Sequence, residues 1–129
     1  MELFDKSTLT TTIFLAALMS AVDGDIDKEE WNVIKQFIKL HWVPAFGDFK
    51  EAQSQIISHV KKLVHNPDAL KKKVNQLVGI LRPKLSMKQK EVLLNLVREV
   101  MMADREIDEQ EEKLIDQLMQ IMEVKKKEM

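Results

Sequence analysis

The sequence predicts an all-α fold of about six helices, and three observations carry that expectation. Only three glycines, three prolines and no tyrosine occur in 129 residues, a poor supply for the turns and strands of a β protein. Hydrophobic residues make up 45% of the chain, enough for one core at the size of a single domain. Those residues recur at spacings of three and four nearly throughout, the period of an amphipathic helix.

The first helix runs from about Lys6 to Val22, and Ile13, Phe14, Ala16, Ala17, Leu18 and Ala21 cover nearly all of its sides. A helix apolar all round belongs at the centre of a bundle. A second follows Asp27, with Trp31, Ile34, Phe37, Ile38 and His41 on one face. It ends before Pro44, because proline disfavours the helical region in its predecessor. The third starts near Asp48 and carries Phe49, Ala52, Ile56, Val60 and Leu63. Asn66-Pro67-Asp68 places an N-cap ahead of a proline at the first helical position. The fourth helix so opened bears Leu70, Val74, Leu77, Val78 and Leu81 and stops at Pro83. Ser86 and Gln89 have capping-box spacing and introduce a fifth, with Val92, Leu93, Leu96, Val97, Val100 and Met101. Asp108 opens a sixth, with Leu114, Ile115, Leu118, Ile121 and Met122, and the tail from Lys125 is expected to fray.

A net charge of −1 conceals an uneven distribution. Residues 1–30 hold seven acids against two bases, 31–98 hold four against thirteen, and 99–129 hold ten against five. Two acidic ends flank a basic middle. The longest apolar stretch, Ile13 to Val22, is far short of a membrane span. Read as a signal-peptide core it lacks a positive leader, since Glu2 and Asp5 oppose Lys6, and a cut after Ala21 puts Met19 where a small residue is needed. A soluble cytoplasmic domain is the expectation. Without cysteine there is no disulfide framework, thiolate metal site or cysteine nucleophile.

The first and last helix pairs are copies of one element. Residues 21–34 align with residues 102–115 without a gap, with identities at Asp23/Asp104, Ile26/Ile107, Asp27/Asp108, Glu30/Glu111 and Ile34/Ile115 and acidity kept at Asp25/Glu106. A buried helix, an acidic turn and an amphipathic helix therefore occur twice, which suggests a pseudo-symmetric bundle with the third and fourth helices inserted between the copies.

Two accounts of the repeated turn stand side by side. Asp27 with Glu30, and Asp108 with Glu111, have the spacing of a capping box, and acids suit the positive end of a helix dipole. Ile26 and Ile107 then tether each turn to the core. Capping leaves Asp23 and Asp104 unexplained, because each falls at the C-terminal end of the preceding helix, where a negative charge costs about 0.3–1 kcal/mol. A hydrogen bond to the turn's own N–H groups or a cation offsets that cost. Asp23, Asp27 and Glu30, with Asp104, Asp108 and Glu111, are the candidate ligands, and oxygen-only donors select a hard divalent cation of the Ca²⁺ or Mg²⁺ class. An EF-hand is ruled out: Lys28 stands where the loop needs glycine, and Ile34 where it needs the bidentate glutamate.

A small-residue helix ending in Ala21-Val22-Asp23-Gly24, an apolar plug at Ile26 and a helix-starting acidic cluster, repeated near the C-terminus, resembles the TerB-like family of tellurite-resistance and related proteins. The resemblance is close over about half of the chain. It implies a single all-α domain over 1–129 with internal pseudo-symmetry, an acidic surface proposed to bind metal, and a place in bacterial stress-response systems, some of them at the membrane surface. Carried over position by position, it covers Asp23, Gly24, Asp27 and Glu30, then Asp104, Asp108 and Glu111. Arg105 departs from it, standing where the motif prefers glycine.

Other chemistry finds little support. His41, His59 and His65 lack zinc-site spacing, and there is no triad pattern or Gly-rich phosphate loop, so a non-enzymatic module is expected. The basic middle, with Lys61, Lys62, Lys71, Lys72, Lys73, Arg82, Lys84, Lys88 and Lys90, suits an anionic membrane surface. Nucleic acid fits it poorly, because arginines are scarce there and stacking aromatics absent. The leading expectation is a module whose acidic turns bind a divalent cation or a basic partner surface; the alternative for the whole chain is a purely structural protein–protein interaction module whose acids only cap helices.

Overall fold

The computed structural model describes residues 4–21, 26–103 and 109–122, apart from the side chains of 110 and 111. Six α-helices occur among the described residues: α1 (Lys6–Ser20), α2 (Lys28–His41), α3 (Phe49–Val64), α4 (Pro67–Leu81), α5 (Met87–Met101) and α6 (Glu109–Ile121). A 3₁₀ turn, Pro44–Phe46, bridges α2 and α3. No strand occurs among the described residues.

Local chemistry explains most helix starts. Asp5 caps α1 by accepting a hydrogen bond from the Thr8 N–H at 2.7 Å. Asp48 caps α3 and Asn66 caps α4, the latter with Pro67 in the first turn. Ser86 and Gln89 close a capping box on α5: the Gln89 N–H donates to the Ser86 hydroxyl, and the Ser86 N–H to the Gln89 amide oxygen. Each cap satisfies a backbone donor that the helix itself cannot. At the end of the 3₁₀ turn Gly47 takes φ 100°, which an L side chain rarely adopts, and its carbonyl accepts the Trp42 indole N–H at 2.9 Å.

Helix α1 is the axis of the bundle. It packs on α2, α3, α4 and α5, and Leu9, Ile13, Leu15, Ala16, Ala17 and Leu18 have no exposed surface, as its all-round apolarity leads one to expect. Helix α5 packs on α1, α2 and α6, burying Leu93, Leu94, Leu96, Val97, Val100 and Met101. The leading helices of the two sequence copies, α1 and α5, thus lie against each other, and α3 and α4 pack on α1. Thr12 is fully buried in α1, and its hydroxyl finds no partner. Neighbouring Thr10 and Thr11 both donate to the carbonyl one turn back.

Three side chains depart from the sequence pattern. The helical pattern places Phe49 and Ile121 on the apolar faces, yet both are more than one-third exposed; each lies at the end of its helix, where neighbouring helices give less cover. The charge pattern groups Lys90 with the basic middle, but it is buried on α5. A lysine stem can pack along apolar surface while its ammonium reaches outward.

At the end of the bundle where α1 starts, His41 is the last residue of α2. Its ring lies 4.4 Å from that of Phe37 and 5.8 Å from that of Phe4. Partial burial there lowers its pKa below the ordinary histidine value, because the imidazolium is the form that loses solvation. A folded-state pKa below the unfolded one gives stability that is complete above about pH 6.5 and declines as the pH falls through the folded value. The melting temperature is expected to drop between about pH 7.5 and pH 5.5, ahead of most carboxylate titration. His41→Gln should flatten that slope, whereas an equal slope in the variant would place its origin elsewhere.

Candidate functional site

Ile26, Asp27 and the start of α2 are the described part of the first acidic element. Ile26 is buried in the core at 6% exposure and anchors the chain as it enters α2. Immediately after it, the Glu30 N–H donates to Asp27 Oδ1 at 2.8 Å, and the Asp27 N–H donates to Glu30 Oε1 at 3.0 Å. This reciprocal capping box fixes both carboxylates at the N-terminus of α2. Glu30 is 6% exposed, unusual for a carboxylate outside a paired or functional setting. Glu29 is exposed beside it.

The structure therefore brings together Asp27 and Glu30, as their spacing of three predicts. Asp23, Gly24 and Asp25 lie outside the described residues, as do Asp104, Arg105, Glu106, Ile107 and Asp108, and the Glu111 side chain likewise. In the second copy, the described part of α6 includes Glu112, which makes a two-pronged contact with Arg98 of α5. The guanidinium donates at 3.1 and 3.3 Å, and both side chains are about two-fifths exposed. That pair ties α6 to α5 close to the second turn. Among the described residues no group of three or more histidines, cysteines or acids is placed to hold a metal ion.

Asp27 and Glu30 suit a hard cation in donor chemistry, being all oxygen, and in rigidity, since the box holds both side chains in place. The positive end of the α2 dipole opposes a cation at this position, so further carboxylates from the turn are needed to make the site favourable.

The remaining candidates fall elsewhere. His59 packs against Phe14, 5.8 Å between rings, and the Lys73 ammonium lies 5.8 Å over the same ring. His65 is the C-cap of α3, and no two histidines share a site. The basic middle does not form one surface. Lys61, Lys62, Lys71 and Lys72 are exposed where α3 ends and α4 begins; Arg82, Lys84 and Lys88 are exposed where α4 ends and α5 begins. A cleft of about 330 Å³ between α1, α4 and α6 is lined mainly by apolar residues such as Met19, Leu70, Val74 and Leu118, with Lys71, Asn75 and Gln117 as its polar members.

Six helices among the described residues, a leading helix buried over most of its length and a capping box of two acids at the start of α2 define a small all-helical module. The family model described as "Tellurite resistance protein TerB" matches residues 9–129. The chain belongs to the TerB family. Neither a curated protein nor a solved structure matches it significantly. Among the described residues no helix is long and apolar enough to cross a membrane.

Proposed function

We propose that this TerB-family chain is a non-enzymatic cytoplasmic module that holds a divalent cation of the Ca²⁺ or Mg²⁺ class in its α1–α2 turn, in a bacterial stress-response setting. The observation that carries this reading is the Asp27–Glu30 box, two carboxylates fixed at 2.8 and 3.0 Å from backbone donors and followed by a helix anchored in the core. Asp23 joins them as the third ligand in the proposal, because its charge at the end of the first helix needs compensation. Asp104, Asp108 and Glu111 form the corresponding set in the second copy. There Arg105 adds a positive charge to the turn, which makes the first site the stronger of the two. A basic partner surface is the other occupant that these acidic turns suit.

Chelator-stripped protein titrated with Ca²⁺, Mg²⁺, Mn²⁺ or Zn²⁺ tests the proposal. A ligand that binds only the folded state stabilises it by about 2.7 kcal/mol at a hundredfold excess over Kd, which is visible as a rise in melting temperature. Asp23→Asn is expected to abolish the rise. No shift at millimolar metal overturns the cation reading and leaves the acids as helix caps on an interaction module; a shift that survives Asp23→Asn moves the site away from this turn.

A further inference from the structure

The cleft between α1, α4 and α6 has the build of a site for a small amphiphile. Among the described residues α4 packs on α1 and α3, and α6 packs on α5. With no comparable packing between α4 and α6, the two helices stand apart beside the end of α1. The space between them, about 330 Å³, falls within the range of small-molecule sites, about 300–1,000 Å³. Met19, Leu70, Val78 and Leu118 line it and are only 2–4% exposed, so its depth is apolar. The polar members, Lys71, Asn75 and Gln117, are all exposed and belong to its mouth. Lys71 and Asn75 are one turn apart on α4, and Gln117 is on α6. Ile121, 43% exposed, is part of the same lining, whereas Leu40, at 78%, lies on α2 and has no part in it.

We infer that this cleft binds one medium-chain carboxylate, with its hydrocarbon against the apolar depth and its headgroup at Lys71. Walls of Met, Leu and Val left to water carry a free-energy cost that an apolar occupant removes. Among the described residues Lys71 is the one charged member of the lining and makes no ion pair, so a single anion complements the mouth and a cation does not. The Asn75 and Gln117 side-chain amides offer N–H donors to a carboxylate seated there. Volume sets the chain length. An apolar cavity of about 150 Å³ takes benzene, so the 330 Å³ available here suits roughly twelve or thirteen non-hydrogen atoms, the size of decanoate. None of the lining residues belongs to α2 or its capping box, so the inference goes beyond the cation reading and stands independently of it.

Titration of the full chain with sodium decanoate below its micellar concentration, in metal-free buffer, tests it by calorimetry and by thermal melting. Binding is expected to saturate at one decanoate per chain and to raise the melting temperature by roughly 5 °C at tenfold excess over Kd. Decyltrimethylammonium should not bind. Lys71→Met keeps the apolar stem and removes the charge; it should weaken decanoate about two- to fivefold, the worth of an exposed ion pair, and leave 1-decanol unaffected. Val74→Phe places a ring in the cleft, and Ile121→Glu puts a like charge on its lining; each should weaken decanoate at least tenfold. Because Ile121 is exposed, its substitution should leave the melting temperature of the ligand-free chain nearly unchanged, which separates loss of the site from loss of the fold. No binding, uptake of many decanoates per chain without saturation, equal affinity for the cationic amphiphile, or indifference to Ile121→Glu overturns the inference. So does a dimer that Ile121→Glu dissolves and decanoate does not, since the cleft would then hold a second copy of the chain.

Discussion

Leu18→Ala is expected to cost about 3 kcal/mol of folding stability and to lower the melting temperature by roughly 10 °C. Leu18 has no exposed surface and lies on the one helix that packs against four others. Removing its branched end therefore leaves a cavity lined by several elements, and relaxation of any one cannot fill it. The substitution raises intrinsic helix propensity slightly, so the loss comes from packing alone. Thermal melting followed by circular dichroism reads the effect. A drop of only a degree or two would mean that the helices around α1 close over the vacancy and that the axis is loosely held.

The converse substitution on the next residue is expected to act in the same direction. Ala17→Leu adds three carbons at a position with no exposed surface and should cost about 2 kcal/mol through displaced helices and off-rotamer side chains. On an exposed face the same change would be nearly neutral. A urea midpoint that falls with an unchanged slope marks a loss of native-state stability without a change in the surface exposed on unfolding. A variant as stable as the parent would show spare volume beside α1, and the assignment of small residues there to close helix packing would fail. Together the pair asks whether α1 fits its surroundings from both directions.

Much of this fold was legible because its determinants are local or nearly so. Capping at Asp27, Asn66 and Ser86 depends on side chains within three residues of the donors they satisfy, and all three occur as spacing predicts. The central place of α1 follows from apolarity on every side, a property of one segment. Exposure at helix ends was not legible in the same way. Phe49 and Ile121 continue apolar faces in sequence, but whether a neighbour covers the last turn depends on how the helices are arranged in space. Leu40 did carry a signal, since it lies out of phase with the Ile34–Ile38–His41 face. The charge sums mislead for the same reason. Bases contiguous in sequence separate in space, because successive helices carry them to different ends of the bundle, and Lys90 is buried. Of the candidate site, the Asp27–Glu30 pairing was readable from an interval of three. The association of those two with Asp23 rests on the repeat and on charge at a helix end.

Asp27→Asn separates the two roles of the acidic turn. Asparagine caps a helix about as well as aspartate but brings no negative charge to a cation. In metal-free buffer the variant should melt within a few degrees of the parent, since the cap is kept. On addition of millimolar Ca²⁺ or Mg²⁺ the parent's melting temperature should rise and the variant's should stay nearly constant. A parent that does not respond, or a variant that keeps the full rise, would contradict the assignment of a cation to this turn.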